Sequence, residues 1–527
     1  MISILVAISL VISGLYLIIN FKHDIHMLQQ NSYRIDRYWR WLKNSNMWNA
    51  SEFIDMALLM LLMSTLMPSQ IAALIIAIVA AVKIVYTLRR KFKKPLVFTK
   101  RVWRIYGTAG TLATLGYIAV IIFGGGVDNP LIPLAVLLIM SGLSWAIIML
   151  TVVILTPVEN AINRRFYNEA ASILRSMPDL KIVGITGSFG KTSTKHYLHR
   201  ILSETYDVLM TPGSYNTPMG VIRTIREMMK PYNQVFICEM GAKQVGDIKE
   251  ICDLVHPHMG IITAVGPMHL ESFRSIENVQ ATKFELADAL PADGLAVINN
   301  DFEYCANRKV SNVNALRYAV SNPDNADYKA VDVQYTPYGT TFRIVGPNSF
   351  SIDLKTQLIG ECNISNLIAA VIIAIKLDVP ADRIQYAVGQ IEQVEHRLNL
   401  KRTAGGVNII DDAFNSNPAG SRMAVDVLSH FNTGKRIIVT PGMIELGDKQ
   451  YELNKALGEH IGRNLDVAII VGEYNRQALL DGVKTGQIAE ENIHAVDSFN
   501  EAQALLARIL QSGDTVLYEN DLPDTFK

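Results

Sequence analysis

Five apolar stretches crowd the first 157 residues, at about Ile2–Asn20, Phe53–Met67, Ile71–Leu88, Tyr106–Phe123 and Leu131–Leu155. Runs of this length and composition suit bilayer-crossing helices, because hydrocarbon offers no partner for a backbone N–H or C=O and a helix satisfies both internally. Only Pro68-Ser69-Gln70 separates the short second stretch from the third, so that pair reads as a tight hairpin or a re-entrant unit. Basic residues gather in two connections. Lys22, Arg34, Arg37, Arg40 and Lys43 follow the first stretch, and Arg89, Arg90, Lys91, Lys93, Lys94, Lys100, Arg101 and Arg104 lie between the third and fourth. The other connections are nearly uncharged, with Asp128 alone in 124–129. The positive-inside rule puts both basic loops in the cytosol, the N-terminus outside, and everything after Leu155 in the cytosol. The expectation is a multi-pass protein of the cytoplasmic membrane with cytosolic soluble domains. No Lys or Arg precedes the first apolar run, so a retained span is expected rather than a cleaved signal peptide. Trp39, Trp41, Trp48 and Trp103 flank the spans as interfacial anchors, and Lys83 is close enough to a span end to snorkel.

The 527 residues are 50% hydrophobic and 19% charged with a mean hydropathy of +0.20, enough for about three domains. Net charge is zero overall but divides into +9 for residues 1–157 and −9 for the remainder. A nucleic-acid binder would carry its basic excess on the soluble part, so that class is set aside. Cys238, Cys252, Cys305 and Cys362 are widely spaced and form no CxxC pair, which argues against a zinc ribbon or a disulfide framework.

A juxtamembrane helix is expected over Asn160–Met177. The pattern then changes to short apolar runs alternating with helical periodicity, the mark of a parallel α/β sheet. Expected strands are Ile182–Thr186, Val208–Thr211, Val235–Glu239, Gly260–Val265 and Leu295–Asn299. A β-rich insert follows around Ala330–Leu358, and a second set comprises Val407–Asp411, Arg436–Thr440, Val467–Val471 and Thr515–Tyr518. Directly after the first strand comes Gly184-Ile-Thr-Gly187-Ser-Phe-Gly190-Lys191-Thr192-Ser193. Glycines at Gly187 and Gly190 let backbone N–H groups close on phosphate oxygens at a helix N-terminus, Lys191 adds a mobile positive charge, and Thr192 offers a hydroxyl to Mg²⁺. Ile185 occupies the first glycine position of the generic GxxxxGK[ST] loop, so the shorter TGxxGKT form carries the reading. Glu239 and His269 fall just past strand ends, where ligand sites of parallel sheets lie. Each has a plainer reading alone, Glu239 as a helix N-terminal carboxylate and His269 as a surface histidine. With the phosphate loop they read as ligands of a phosphate-bound cation.

Together these residues resemble the Mur ligase family, of the type that adds D-alanyl-D-alanine to a muramyl tripeptide. The resemblance runs from about Lys181 to Tyr518, roughly two-thirds of the chain. It implies ATP and Mg²⁺ as cofactors, with Lys191, His269, Lys283 and Arg397 as the catalytic set. Gly187, Gly190, Lys191, Thr192, Ser193, Asn216, Asn366, Arg397 and Asp412 would bind nucleotide, and Thr192, Glu239, His269 and a carbamylated Lys283 would hold metal. The carrying motifs are Ser214-Tyr-Asn216-Thr-Pro-Met-Gly220, Ala281-Thr-Lys283-Phe-Glu285, Gly360-Glu-Cys362-Asn363-Ile-Ser-Asn366, Glu395-His396-Arg397 and Asp411-Asp412-Ala-Phe-Asn415-Ser-Asn417-Pro418. The implied architecture is an α-helical membrane region at 1–157, a juxtamembrane helix at 158–178, an α/β phosphate-loop ligase domain at 179–394 and a Rossmann-like C-terminal domain at 395–527.

The departures bear on substrate. The family's small uridine-binding domain has no counterpart, and apolar stretches stand in its place. Cys362 replaces a histidine, Gly442 an aspartate, and Glu519-Asn520-Asp521 a Lys-Gly-Ser segment. The expected activity is ATP-dependent, ADP-forming amide ligation onto a cell-wall precursor, lipid-linked in the favoured reading, with an amino acid or dipeptide as the incoming amine. Membrane lipid and cell-wall assembly enzymes are the further expected partners. A poly-γ-glutamate synthase-like ligase and a catalytically idle nucleotide-binding membrane scaffold are the alternatives.

Overall fold

A computed structural model describes residues 4–45, 68–90, 92, 94–123, 131–213, 215–336, 339–413 and 416–522. The chain divides into two compact units, residues 1–163 and 164–522.

In the first unit four helices are long and apolar enough to cross a membrane: Ile4–Gln30, Ser69–Arg89, Lys100–Phe123 and Ser144–Arg175. Large apolar side chains such as Val11, Val82, Leu115 and Val153 lie exposed along them, as a lipid-facing surface requires. Two expectations change, and part of the reading cannot be compared. The stretch Phe53–Met67, Trp48 and Asp128 lie outside the described residues. The fifth apolar stretch is two helices, because the chain turns at Leu143, and Leu131–Gly142 is too short to span alone. The juxtamembrane helix is continuous with the last apolar run, since Pro157 sits inside the helix Ser144–Arg175 without ending it. Polar contacts gather at the ends of the apolar runs: Ser144 donates to Asp24 at 2.5 Å, and Glu159 accepts from Arg104 at 2.7 Å.

The second unit holds two α/β sheets. Among the described residues the first has nine strands in the order β2-β3-β1-β4-β5-β6-β7-β8-β9. These are β1 (Lys181–Thr186), β2 (Val208–Met210), β3 (Val235–Glu239), β4 (Met259–Ile262), β5 (Leu295–Asn299), β6 (Asn314–Ala319), β7 (Tyr328–Thr336), β8 (Gly339–Val345) and β9 (Ser351–Thr356). Pairing is parallel from β2 through β7 and antiparallel across β7-β8-β9, so the sheet is mixed. Helices cover both faces. The helix Glu361–Lys376 is apolar nearly all round, and the sequence buries it between one sheet face and the helix Lys191–Leu202.

The second sheet runs β10-β11-β15-β12-β13-β14. Its strands are β10 (Asn399–Arg402), β11 (Asn408–Asp412), β12 (Arg436–Thr440), β13 (Val467–Val471), β14 (Ile493–Val496) and β15 (Thr515–Glu519), parallel except for β10 against β11. In the first sheet β1 lies between β3 and β4, so the connection from β1 to β2 runs to one side of it and the connection from β3 to β4 to the other. The carboxyl end of a strand in that position is the crevice where parallel sheets bind ligands.

Candidate nucleotide and ligase site

The loop between β1 and the helix Lys191–Leu202 sits at that crevice. Gly190 is left-handed at φ 81°, and a Cβ on it would stand 2.5 Å from Asn366 Oδ1. At Gly187 a Cβ would meet Thr263 Oγ1 at 2.0 Å. Only glycine lets this loop close against its neighbours and turn its amides to the open side. Lys191 Nζ donates to the loop's own carbonyls, Gly187 O at 2.7 Å and Ser188 O at 3.4 Å. Burial, with Arg397 adding to it and Glu239 opposing, lowers the Lys191 ammonium to about 8. Lys283 is lowered to about 7, first by burial and then by the Lys191 charge. An anionic guest would relieve this crowding of cations, which is what a polyphosphate site requires.

Glu239, at the end of β3 and 1% exposed, is the acidic centre. Thr192 Oγ1 donates to its Oε1 at 3.1 Å, Asn216 Nδ2 to the same oxygen at 3.0 Å, and Lys195 Nζ lies 2.8 Å from Oε2. Burial works to raise its carboxyl, but Lys195 and Lys191 outweigh that and hold it below the usual range. Among the described residues no group of three or more His, Cys, Asp or Glu could hold a metal ion. A carboxylate and a hydroxyl side by side at a phosphate loop still fit Mg²⁺, which takes one or two protein oxygens and fills its shell from phosphate and water. His269 makes a different contact, its Nδ1 bonding Glu445 Oε2 from the second sheet's side.

The remaining predicted residues line one pocket. Asn366 accepts from Thr194 at 3.1 Å, Asn363 accepts from Tyr197 at 2.8 Å, and both reach the cavity beside Ser193. Arg397 and Asp412 line its opposite wall. Cys362 also lines it, half-buried, while Cys238, Cys252 and Cys305 are buried.

Three functional candidates escaped the sequence reading. Lys195 had a usable signal, being one helical turn beyond Lys191 on the same face. Glu445 and Glu519 depend on contacts across long separations that spacing does not reveal. Glu519 lines the same pocket as Asp412, and Ser416 Oγ donates to its Oε1 at 2.6 Å. Burial and then the Asp412 charge push Glu519 up to about 8, so one proton is shared by buried Glu519 and half-buried Asp412. A carboxyl raised on folding binds its proton more tightly in the native state, so its contribution to stability falls as pH rises from the ordinary carboxyl range through about 8. Glu519→Gln, a mimic of the protonated form, is therefore expected to unfold about 5 °C above the wild type near pH 9 and at the same temperature near pH 5. Thermal scans at both pH values check this, and an equal difference at both would count against the shared proton.

Fold and pocket define a two-lobed phosphate-loop nucleotide-binding protein. Residues 185–374 match the Mur ligase middle domain and residues 396–518 the Mur ligase, glutamate ligase domain, and the chain belongs to the Mur ligase family. It is 30% identical over 298 residues to the UDP-N-acetylmuramoyl-tripeptide–D-alanyl-D-alanine ligase of Escherichia coli K12, covering 56% of this chain and 65% of that protein's length. To the Bacillus subtilis 168 protein of the same name it is 27% identical, covering 64% of this chain and 72% of that one. Among solved structures, MurF from Acinetobacter baumannii superposes with a TM-score of 0.62 at 26% identity, over 68% of this chain and 77% of that one. MurF ligase from Thermotoga maritima in complex with ADP gives 0.60 at 25% identity, over 68% and 80%.

Proposed function

We propose that this chain is a membrane-anchored, ATP-dependent amide ligase that adds an amino acid or dipeptide, in the manner of D-alanyl-D-alanine, to a muramyl-peptide cell-wall precursor. The observation that carries the reading is the convergence of the phosphate loop, the Glu239–Thr192 oxygens and Arg397 of the C-terminal lobe on one crevice. That arrangement suits phosphoryl transfer, where the protein's part is positioning and charge stabilisation.

In this reading the loop amides and Lys191 orient the γ-phosphate of ATP towards the acceptor carboxylate. The carboxylate oxygen attacks phosphorus and ADP leaves, giving an acyl phosphate. The amine then attacks the acyl carbon, the C–N bond forms as the C–O bond to phosphate breaks, and phosphate and a proton depart. Arg397 stabilises the charge developing on the transferred group, and the two lobes keep water from the labile intermediate. Thr192 and Glu239 would hold Mg²⁺, which would neutralise phosphate charge. Lys283, buried and with its amine lowered to about 7, has the neutral nucleophile that carbamylation by CO₂ requires. His269 serves the cation, and Asn216, Asn366, Ser193 and Asp412 serve the nucleotide.

The four long apolar helices support anchoring in the cytoplasmic membrane with the ligase lobes in the cytosol, next to a lipid-linked acceptor. The test is ADP release by detergent-purified protein with Mg-ATP, over UDP-linked and lipid-linked muramyl peptides crossed with amino acids and dipeptides. The expected result is release that needs both acceptor and amine, with a product heavier by the amine less water and preference for the lipid-linked acceptor. A ladder of products would replace this reading with a polymer-forming ligase. Nucleotide binding without turnover on every combination would favour a scaffold.

A further inference from the structure

His269 is held from the other lobe. Its Nδ1 bonds the carboxylate of Glu445, a residue beyond β12 in the C-terminal sheet, and Glu271 N also donates to the Glu445 backbone carbonyl at 3.3 Å. Both partners adopt left-handed backbone, His269 at φ 52° and Glu445 at φ 61°. Non-glycine residues enter that region at a cost, so two facing each other must be held there by their surroundings. The surroundings do so on the Glu445 side. Met443 N donates to Asn454 Oδ1 at 2.8 Å, and Met443 O accepts from Asn454 at 3.1 Å and Asn475 at 2.9 Å. The expected aspartate at 442 has no room here. Gly442 is left-handed at φ 77°, and a Cβ would lie 2.5 Å from Asn454 Oδ1. The loop is thus clamped by buried amides, and its one outward acid meets the imidazole.

Histidines that serve a metal characteristically give their second ring nitrogen to a carboxylate, which fixes tautomer and ring orientation. We propose that Glu445 is the positioning residue for His269: it accepts the Nδ1–H hydrogen bond, leaves Nε2 as the free lone pair for the divalent cation, and does so only when the two lobes meet. The inference rests on the cation role proposed above for His269. With a carboxylate at Nδ1, that nitrogen is the one that carries the hydrogen in the neutral ring. Nε2 makes no hydrogen bond among the described residues. Lobe closure and completion of the cation site become one event.

Two measurements on the full-length protein in detergent test this. In ¹⁵N-histidine spectra without metal, the resonance assigned by its loss in His269→Gln should report the Nδ1–H tautomer. Glu445→Ala should give the mixed-tautomer signal, and Glu445→Gln, whose amide oxygen can still accept, should keep the single one. In Mn²⁺ titrations read by electron paramagnetic resonance with a non-hydrolysable ATP analogue, Glu445→Ala should weaken Mn²⁺ about 10- to 100-fold and Glu445→Gln much less. Analogue binding without metal should be unchanged in both. An Nε2–H tautomer in the wild type, or Mn²⁺ binding to Glu445→Ala as tight as to the wild type, overturns the inference alone. A wild type that binds neither analogue nor Mn²⁺ overturns the ligase reading and the cation half of the inference together, while the tautomer still reports whether Glu445 holds the ring.

Discussion

Arg397→Ala is expected to slow ATP turnover about 10³-fold or more, with KM for ATP changed far less, because a transferring phosphoryl group recruits an arginine most strongly in the transition state. The side chain enters from the C-terminal lobe and lines the same cavity as Lys191 and Thr192. Burial lowers its pKa, while Asp412, Glu239 and Glu519 pull the other way, which places the guanidinium among the acids of both lobes. Removing it also leaves half-buried Asp412 without its main cationic neighbour, so stability should fall as well. Arg397→Lys separates the two effects: it keeps the charge and so most of the stability, but it lacks the planar fork and should remain slow. Steady-state kinetics beside thermal unfolding read both. If Arg397→Lys turned over like the wild type, the geometric role of the guanidinium would be refuted.

Lys191→Ala should lower turnover about 10²- to 10³-fold, the typical loss on removing one donor aimed at developing charge. Its effect on the fold should be small. Lys191 is half-buried with its pKa lowered, so alanine removes a partly desolvated cation along with its bonds to the Gly187 and Ser188 carbonyls, and these contributions oppose each other. ADP-release assays and circular dichroism melts decide it. A variant with full turnover would remove Lys191 from the catalytic set.

The interior of both sheets was legible in the sequence and their margins were not. β3, β5, β12 and β13 are continuous buried runs, and their observed limits match the expected ones. β10 and β14 are four-residue strands at sheet edges, with Lys401 and Arg402 or His494 among their residues, so no apolar run announces them. β6 carries Arg317 inside it, and its half-exposed pattern hid the strand. The same distinction divides the site. Gly187, Gly190, Lys191 and Thr192 could be read because one loop contains the whole phosphate cradle. Glu445 and Glu519 could not, because each meets its partner only after two lobes or two strands have come together.

The helix Glu361–Lys376 is buried along almost its whole length and carries Asn363 and Asn366 in its first two turns. An element so enclosed has no route to local opening: its amides exchange with solvent only when the domain unfolds as a whole. The wall of the pocket nearest the phosphate loop is therefore as durable as the domain itself. Adaptation to different guests must come from the loops of the opposite lobe, and drift in substrate choice can proceed there without eroding the nucleotide seat.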